Sequence, residues 1–246
     1  IFVFKQECTG KTASGVVSVG LHQSNGKDTA RMEGECRDSL EIVSRDGCIF
    51  YTFRNDDGRD CGIVLRAASD GTIICGSDGS IIYRDVHEIT LVGKVFVGAD
   101  RKTVFSQAEA QLNSMDIHYE KLLDEHRRLH LKKYKSCDIR LADSGFSKSN
   151  EQMLLDAYEN TPSNAMLEKL WRFGRYLFIC ATKEDGLPMP LYGLWHGEYD
   201  SIWSHNMANI NIQMIYWHCF AGNLLSMNRA FIDYYYGLMD QFRENA

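Results

Sequence analysis

From Ile1 to about Lys102 the chain alternates short apolar or β-branched runs with glycine and aspartate. Gly15-Val16-Val17-Ser18-Val19, Cys48-Ile49-Phe50-Tyr51-Thr52-Phe53, Gly62-Ile63-Val64-Leu65 and Thr72-Ile73-Ile74-Cys75 have the length and side-chain content of strands. Asn25-Gly26, Asp46-Gly47, Asp57-Gly58, Asp70-Gly71 and Asp78-Gly79 punctuate them and supply turns at positive φ. An antiparallel β-sandwich over residues 1–102 is therefore expected. Its polar residues read as solvated faces and turns, and no chemistry is visible among them.

Beyond Lys102 the period changes. Ser106 to Lys135 contains neither glycine nor proline and carries Leu112, Met115, Tyr119, Leu122, Leu123 and Leu129 at helical spacing among charged residues. One long linking helix, or two, is expected over 103–140. After the polar stretch Asp143-Ser144-Gly145-Phe146-Ser147 the chain becomes aromatic and helical. Met166 to Cys180 carries Leu167, Leu170, Trp171, Phe173, Leu177 and Phe178, and Asn211 to Met239 is apolar or aromatic on nearly every side. A helix of that kind is packed among other helices. Between them lies Glu184 to Asn209, rich in Gly, Pro, Trp and His, too polar for a core and too aromatic for a linker. Loops of this make, held by flanking helices, are where sites are usually found.

With 246 residues and 44% hydrophobic content the chain can bury one large core or two modest ones. A net charge of −6 argues against a groove that neutralises phosphates, so no nucleic-acid partner is expected and neutral ligands fit better. The eight cysteines are scattered with no CxxC pair, which reads as reduced thiols rather than a zinc site or disulfide framework. His126 and His130 sit one turn apart, but with no third ligand nearby they read as a solvated helix face. No apolar run approaches the roughly 20 residues that span a bilayer, and no basic-then-apolar leader opens the chain. A cytoplasmic protein is expected. Secretion stays open, because Ile1-Phe2-Val3-Phe4 reads like the middle of a strand.

Four blocks then follow one another: Phe173-Gly174-Arg175-Tyr176-Leu177-Phe178-Ile179, Gly186-Leu187-Pro188, Leu191-Tyr192-Gly193-Leu194-Trp195, and Asn209-Ile210-Asn211-Ile212-Gln213-Met214-Ile215-Tyr216-Trp217. In order and spacing they resemble the FGRYL, LPxxLqGiW and NINxQMnYW blocks of glycoside hydrolase family 95, the α-L-fucosidase and α-L-galactosidase type. The stretch from Tyr119 to Leu141, with Ile139-Arg140-Leu141, is similar to that family's linker, so the resemblance covers about 115–246. It implies a multidomain β + α protein: an N-terminal sandwich, a helical linker, and over 141–246 the start of an (α/α)6 catalytic barrel. On this reading residues 1–246 are a piece of a longer protein and are inactive alone.

The resemblance implies an inverting glycosidase that removes terminal α-L-fucosyl or α-L-galactosyl residues from glycans. Inversion needs an acid for the leaving oxygen and a group that activates water on the opposite ring face, typically about 6.5–9.5 Å away. In this family two asparagines hold the water, one carboxamide oxygen being made more basic by an aspartate, and the matching residues are Asn209 and Asn211. The glutamate acid and that aspartate are expected beyond Ala246. Residues two apart on a helix point roughly 200° apart, whereas in an extended segment they point the same way. Asn209-Ile210-Asn211 is therefore expected to be extended or at a helix entry, with the helix starting at or after Asn211; the plainer alternative makes one asparagine a helix cap. Trp195, Trp203 and Trp217 are candidate sugar platforms with core packing as the alternative for each, and Trp217, within the apolar helix, reads more as core. His196 and His205, with Glu198 and Asp200, lie in the same loop and could bond hydroxyls, and Gln213 could orient Asn209 or bond at the surface. No metal or organic cofactor is implied, and oligomeric state is left open.

Three positions depart from the pattern. Met207 stands where the family usually has a sugar-binding histidine, Ile215 where asparagine is common and His218 where proline is common. Trp203 is also one residue closer to the asparagines than usual. These departures leave a different sugar, such as L-galactose, or a catalytically altered carbohydrate-binding relative as the alternative. A disaccharide phosphorylase is disfavoured, since Trp195 to Asn211 contains no arginine or lysine for phosphate.

Overall fold

The computed structural model describes all residues except 21–38, 56, 99, 143–144, 146–147, 160, 196–202 and 204–207. The described chain forms two compact units, one within Ile1–Asp124 and one from Glu125 onward.

Among the described residues the first unit holds eight strands: β1 Phe2–Glu7, β2 Ala13–Val17, β3 Glu41–Arg45, β4 Cys48–Arg54, β5 Asp60–Ser69, β6 Thr72–Cys75, β7 Ile81–Val86 and β8 Glu88–Val97. All pairings are antiparallel, in a five-stranded sheet β1-β8-β5-β4-β3 and a three-stranded sheet β2-β7-β6. The period of two sorts the core into two layers. Phe50, paired with Val64, joins Cys48 and Val92 on one face, while Ile49, paired with Leu65, joins Ala67 and Ile89 on the other. That second face packs on Ile81 and Ile73 of the smaller sheet, which is the expected sandwich.

The first face is covered by helix α1, Arg101–Ser114, whose Ala108 and Leu112 are buried against it. Asp100 caps the helix by accepting the Thr103 N–H at 2.9 Å. Arg101 then pins its start to the sheet through Asp60, donating from Nη2 at 2.8 Å and from Nε at 3.0 Å. This guanidinium, with Arg54 beside it, holds the buried Asp60 carboxyl down at about 2.

The turn signals act by two different means. Asp46 and Gly47, at φ 49° and 73°, form the two-residue hairpin between Arg45 and Cys48, as Asp-Gly there predicts. Gly71 is not at positive φ. It is needed because a side chain would collide with the carbonyl oxygens of Arg84 and Asp85. Asn25-Gly26 lies outside the described residues.

Of the two arrangements open for 103–140, the chain adopts two helices. α1 stops at Met115, whose backbone is extended, and α2 runs Tyr119–Tyr134. Between them the Asp116 carboxylate accepts the His118 N–H at 3.2 Å, competing with the helical bond that would have carried α1 onward.

The second unit contains α3 Asn150–Glu159, α4 Asn164–Ala181, α5 Ile210–Ala221, a 3-10 turn Leu225–Asn228, α6 Arg229–Gly237 and α7 Met239–Glu244. Pro162 and the Ser163 cap, which accepts the Met166 N–H at 3.2 Å, start α4. The nearly continuous apolar stretch from Asn211 to Met239 is not one helix. Asn223 takes the left-handed conformation, φ 52°, and the N–H groups of Leu224 and Asn223 turn back to the carbonyls of Cys219 and Phe220 at 2.8 and 3.4 Å. This is a Schellman ending, with Leu224 buried beneath it. Phe178 and Ile179 of α4, Ile212, Tyr216 and Cys219 of α5, and Leu224 and Met227 form the core.

Only one side of α5 is buried. Ile210, Met214, Trp217 and Phe220 face out, and Trp217 is 61% exposed, which overturns its reading as a core residue. The apolar circumference of α5 hides that one side of it, Ile212, Tyr216 and Cys219 with Ile215 and His218 beside them, packs on the core that holds Phe178 and Ile179 of α4. Among the described residues no helix is long and apolar enough to cross a membrane.

Candidate functional site

The site begins at the entry to α5. Asn209 has extended backbone, φ −134° and ψ 171°, and its carboxamide oxygen accepts the Ile212 N–H at 3.3 Å. Its backbone carbonyl accepts the Gln213 N–H at 3.3 Å, the first bond of the helix. Asn209 is thus the N-cap, as the plainer alternative has it, and the helix starts at Ile210, one residue earlier than expected, so Asn211 is already helical rather than part of an extended segment with Asn209. The side chain of Asn209 supplies the acceptor that lets the helix begin before Asn211. Asn211 and Gln213 are exposed in the first turn, so all three polar candidates of this block share one helix entry.

Being a cap does not exhaust Asn209. A carboxamide oxygen has two lone pairs and its NH2 two donors, so one lone pair can accept from Ile212 while the rest bond a ligand or water. The cap fixes the orientation in which they do so.

The preceding loop is tied to the same helix. Pro188 is fully buried, and the Met189 N–H donates to the Tyr216 hydroxyl at 2.7 Å, from a tyrosine that is itself buried in the core. Burial raises the Tyr216 phenol above its ordinary value, so it stays neutral and can accept. At the end of this anchored loop Trp195 is 52% exposed. Trp203 is part-exposed and has φ 122°, a conformation that costs a bulky residue about 1–3 kcal/mol and that concentrates at ligand sites. His196, Glu198, Asp200, His205 and Met207 lie outside the described residues.

A buried polar stripe on α4 escaped the reading of the sequence. Glu168, Arg172 and Arg175 recur at helical spacing within an otherwise apolar helix, the signal that could have revealed them. Glu168 accepts the Leu141 N–H at 2.6 Å and pairs with Arg172 at 3.2 Å, which also reaches Asp138 at 2.9 Å. Arg175 donates to the carbonyls of Lys133, Tyr134 and Gly222 and to the Ser136 hydroxyl. It thereby closes the C-terminal ends of both α2 and α5, where helix dipoles favour a cation. Burial lowers its proton affinity, but a guanidinium keeps its charge.

His218, one turn before that end, is packed edge-on to Phe178 with ring centroids 4.5 Å apart. Burial pulls its proton affinity down, so it is neutral at pH 7, and its Nε2 has no hydrogen-bond partner among the described residues. Two cavities of the unit involve none of the candidates. One of about 700 Å³ is lined by the balanced charges of Lys133, Lys183, Arg229, Glu184, Asp185 and Asp233. The other, about 400 Å³, lies among Leu170, Trp171, Met214 and His218. His126 and His130 stack at 6.1 Å along α2, and His130 packs against Tyr176. No group of three possible metal ligands occurs among the described residues.

Comparison with known proteins places these features. The family model described as "Glycosyl hydrolase family 95 catalytic domain" matches residues 118–246. The chain is similar to "Alpha-L-fucosidase 2" of Arabidopsis thaliana, 25% identical over 134 residues that make up 52% of this chain and 16% of that protein. It is also similar to "Probable alpha-fucosidase A" of Aspergillus niger, 40% identical over 65 residues, 26% of this chain and 8% of the relative. The protein of the same name from Aspergillus oryzae is 37% identical over 76 residues, 30% and 10% of the two chains. The chain therefore covers only a small part of the length of each of these relatives.

Proposed function

This chain belongs to glycoside hydrolase family 95, and we propose that the protein it comes from is an inverting glycosidase that removes terminal α-L-fucosyl or α-L-galactosyl residues from glycans. The observation that carries the proposal is the position of Asn209 and Asn211 together at the entry to α5, inside the stretch that matches the family. The α-fucosidase names of the relatives support the sugar class.

In this mechanism the two carboxamides hold a water against the anomeric carbon. A carboxamide is not a base in bulk water, so the role requires that a carboxylate polarise it and that its orientation be fixed. The cap bond to Ile212 provides the second condition for Asn209. As the water attacks, its proton passes to the amide oxygen while the amide N–H gives one proton to the carboxylate, and a carboxylic acid protonates the leaving oxygen. Neither carboxyl group is assigned to a residue of this chain. Trp195 and Trp203 serve as platforms for the apolar face of the sugar, with His196, His205 and Gln213 bonding its hydroxyls. The helices of the second unit form the first part of an (α/α)6 barrel.

The test is hydrolysis by the full-length protein of a panel of aryl α-L-fucosides, aryl α-L-galactosides and α1,2-linked fucosyl oligosaccharides. Release of L-fucose or L-galactose is expected. Silence across the panel with sugar binding retained would favour a second reading, a carbohydrate-binding relative without chemistry, which the methionine at 207 motivates.

A further inference from the structure

Trp195 is held in place by a residue with no side chain. The Gly193 N–H donates to the Pro190 carbonyl at 2.9 Å and the Trp195 N–H to the Tyr192 carbonyl at 3.3 Å, so two tight turns run through Gly193. Gly193 has φ 60°, the left-handed region. A Cβ added there would stand 2.8 and 2.9 Å from Cζ3 and Cε3 of the Trp195 ring, and 3.4 Å from Cε of Met189. No real Cβ contact is that short, and the obstacle is a rigid indole rather than the end of a flexible chain. The ring therefore lies directly over the Cα of Gly193, and it still leaves half of its surface exposed. The turn beneath it is fixed to α5 through buried Pro188 and the Met189–Tyr216 bond.

We propose that Gly193 is a positioning residue for sugar binding: its missing side chain lets the Trp195 indole fold back onto the turn and present its outer face to the sugar. The inference rests on the reading of Trp195 as a platform. Two demands meet at this position, positive φ and empty space, and they can be separated by substitution. Asparagine tolerates the left-handed region but carries a Cβ, so Gly193→Asn keeps the turn and pushes the ring, whereas Gly193→Ala opposes both.

The experiment uses the full-length protein and four variants, Gly193→Asn, Gly193→Ala, Trp195→Ala and the double variant Gly193→Asn/Trp195→Ala. KM and kcat are measured alongside quenching of tryptophan fluorescence by free L-fucose. Gly193→Asn and Trp195→Ala are each expected to raise KM roughly three- to tenfold, the worth of one stacked ring, with kcat within about twofold. The double variant should be no worse than Trp195→Ala alone, because the glycine acts only through the ring. A Gly193→Asn protein with unchanged KM, or effects of the two substitutions that multiply, would overturn the inference while leaving the glycosidase reading intact. Unchanged KM in Trp195→Ala would remove the platform and the inference together. If no glycoside is cleaved, weaker fucose quenching in Gly193→Asn than in the parent still supports the inference, and equal quenching refutes it.

Discussion

Replacing Asn211 by alanine in the full-length protein is expected to lower kcat roughly 10²–10⁴-fold, the range for loss of a positioned proton-handling group, with little change in stability. Asn211 is exposed in the first turn of α5 and is not the residue that caps it. Alanine is a better helix former than asparagine, so the helix loses nothing by the exchange. The partner substitution is less clean. Asn209→Ala removes the acceptor for the Ile212 N–H as well as the proposed water contact, and should add about 0.5–2 kcal/mol of destabilisation to a similar loss of rate. Steady-state kinetics and thermal melts of both variants separate the roles. An Asn211→Ala enzyme with near-parental kcat would remove that residue from the mechanism.

The largest effect on stability is expected at Arg175. Its guanidinium serves three carbonyls and a hydroxyl from the ends of two helices, and the residue is only 3% exposed. Arg175→Met keeps most of the stem and its packing but strips those carbonyls of charged donors, at a cost of about 3–5 kcal/mol. Arg175→Lys should fall between, since an ammonium cannot span three acceptors in the planar fork that arginine provides. Urea unfolding followed by tryptophan fluorescence measures the difference; the guanidinium lies 5.5 Å from the Trp171 ring, so the probe is local. An Arg175→Met midpoint equal to that of the parent would show that water or other donors replace the guanidinium.

The sandwich was legible because its strands obey a period of two with both faces buried, as at Cys48 to Thr52, and because Asp46-Gly47 has one favoured turn. Sequence could not separate a linking helix from one that covers a sheet. The same apolar positions, such as Leu112, serve either purpose, and only the Asp60–Arg101 pair and the face of β4 decide it. The end of α5 was hidden for another reason. Gly222-Asn223 is a stop signal, with Asn223 in the left-handed position, but it stands inside a run that stays apolar on both sides.

At the site, the asparagine block was legible as a helix entry but not to the residue, since either asparagine can cap. Trp217 misled because hydrophobicity reports what a side chain prefers, whereas its burial depends on which side of α5 meets α4. Gly193 and Arg175 both stand inside quoted motifs, yet the reason for each is a contact with a ring or with helix ends that spacing alone does not show.

The central claim is that a water held by two asparagines attacks the anomeric carbon directly. The most direct measurement is proton NMR of the full-length protein acting on an α-L-fucoside or α-L-galactoside, recorded within the first minutes, before the released sugar mutarotates. The β-anomer is expected to appear first and the α-anomer to grow in later. Initial release of the α-anomer would mean retention through a covalent intermediate, and would contradict that claim.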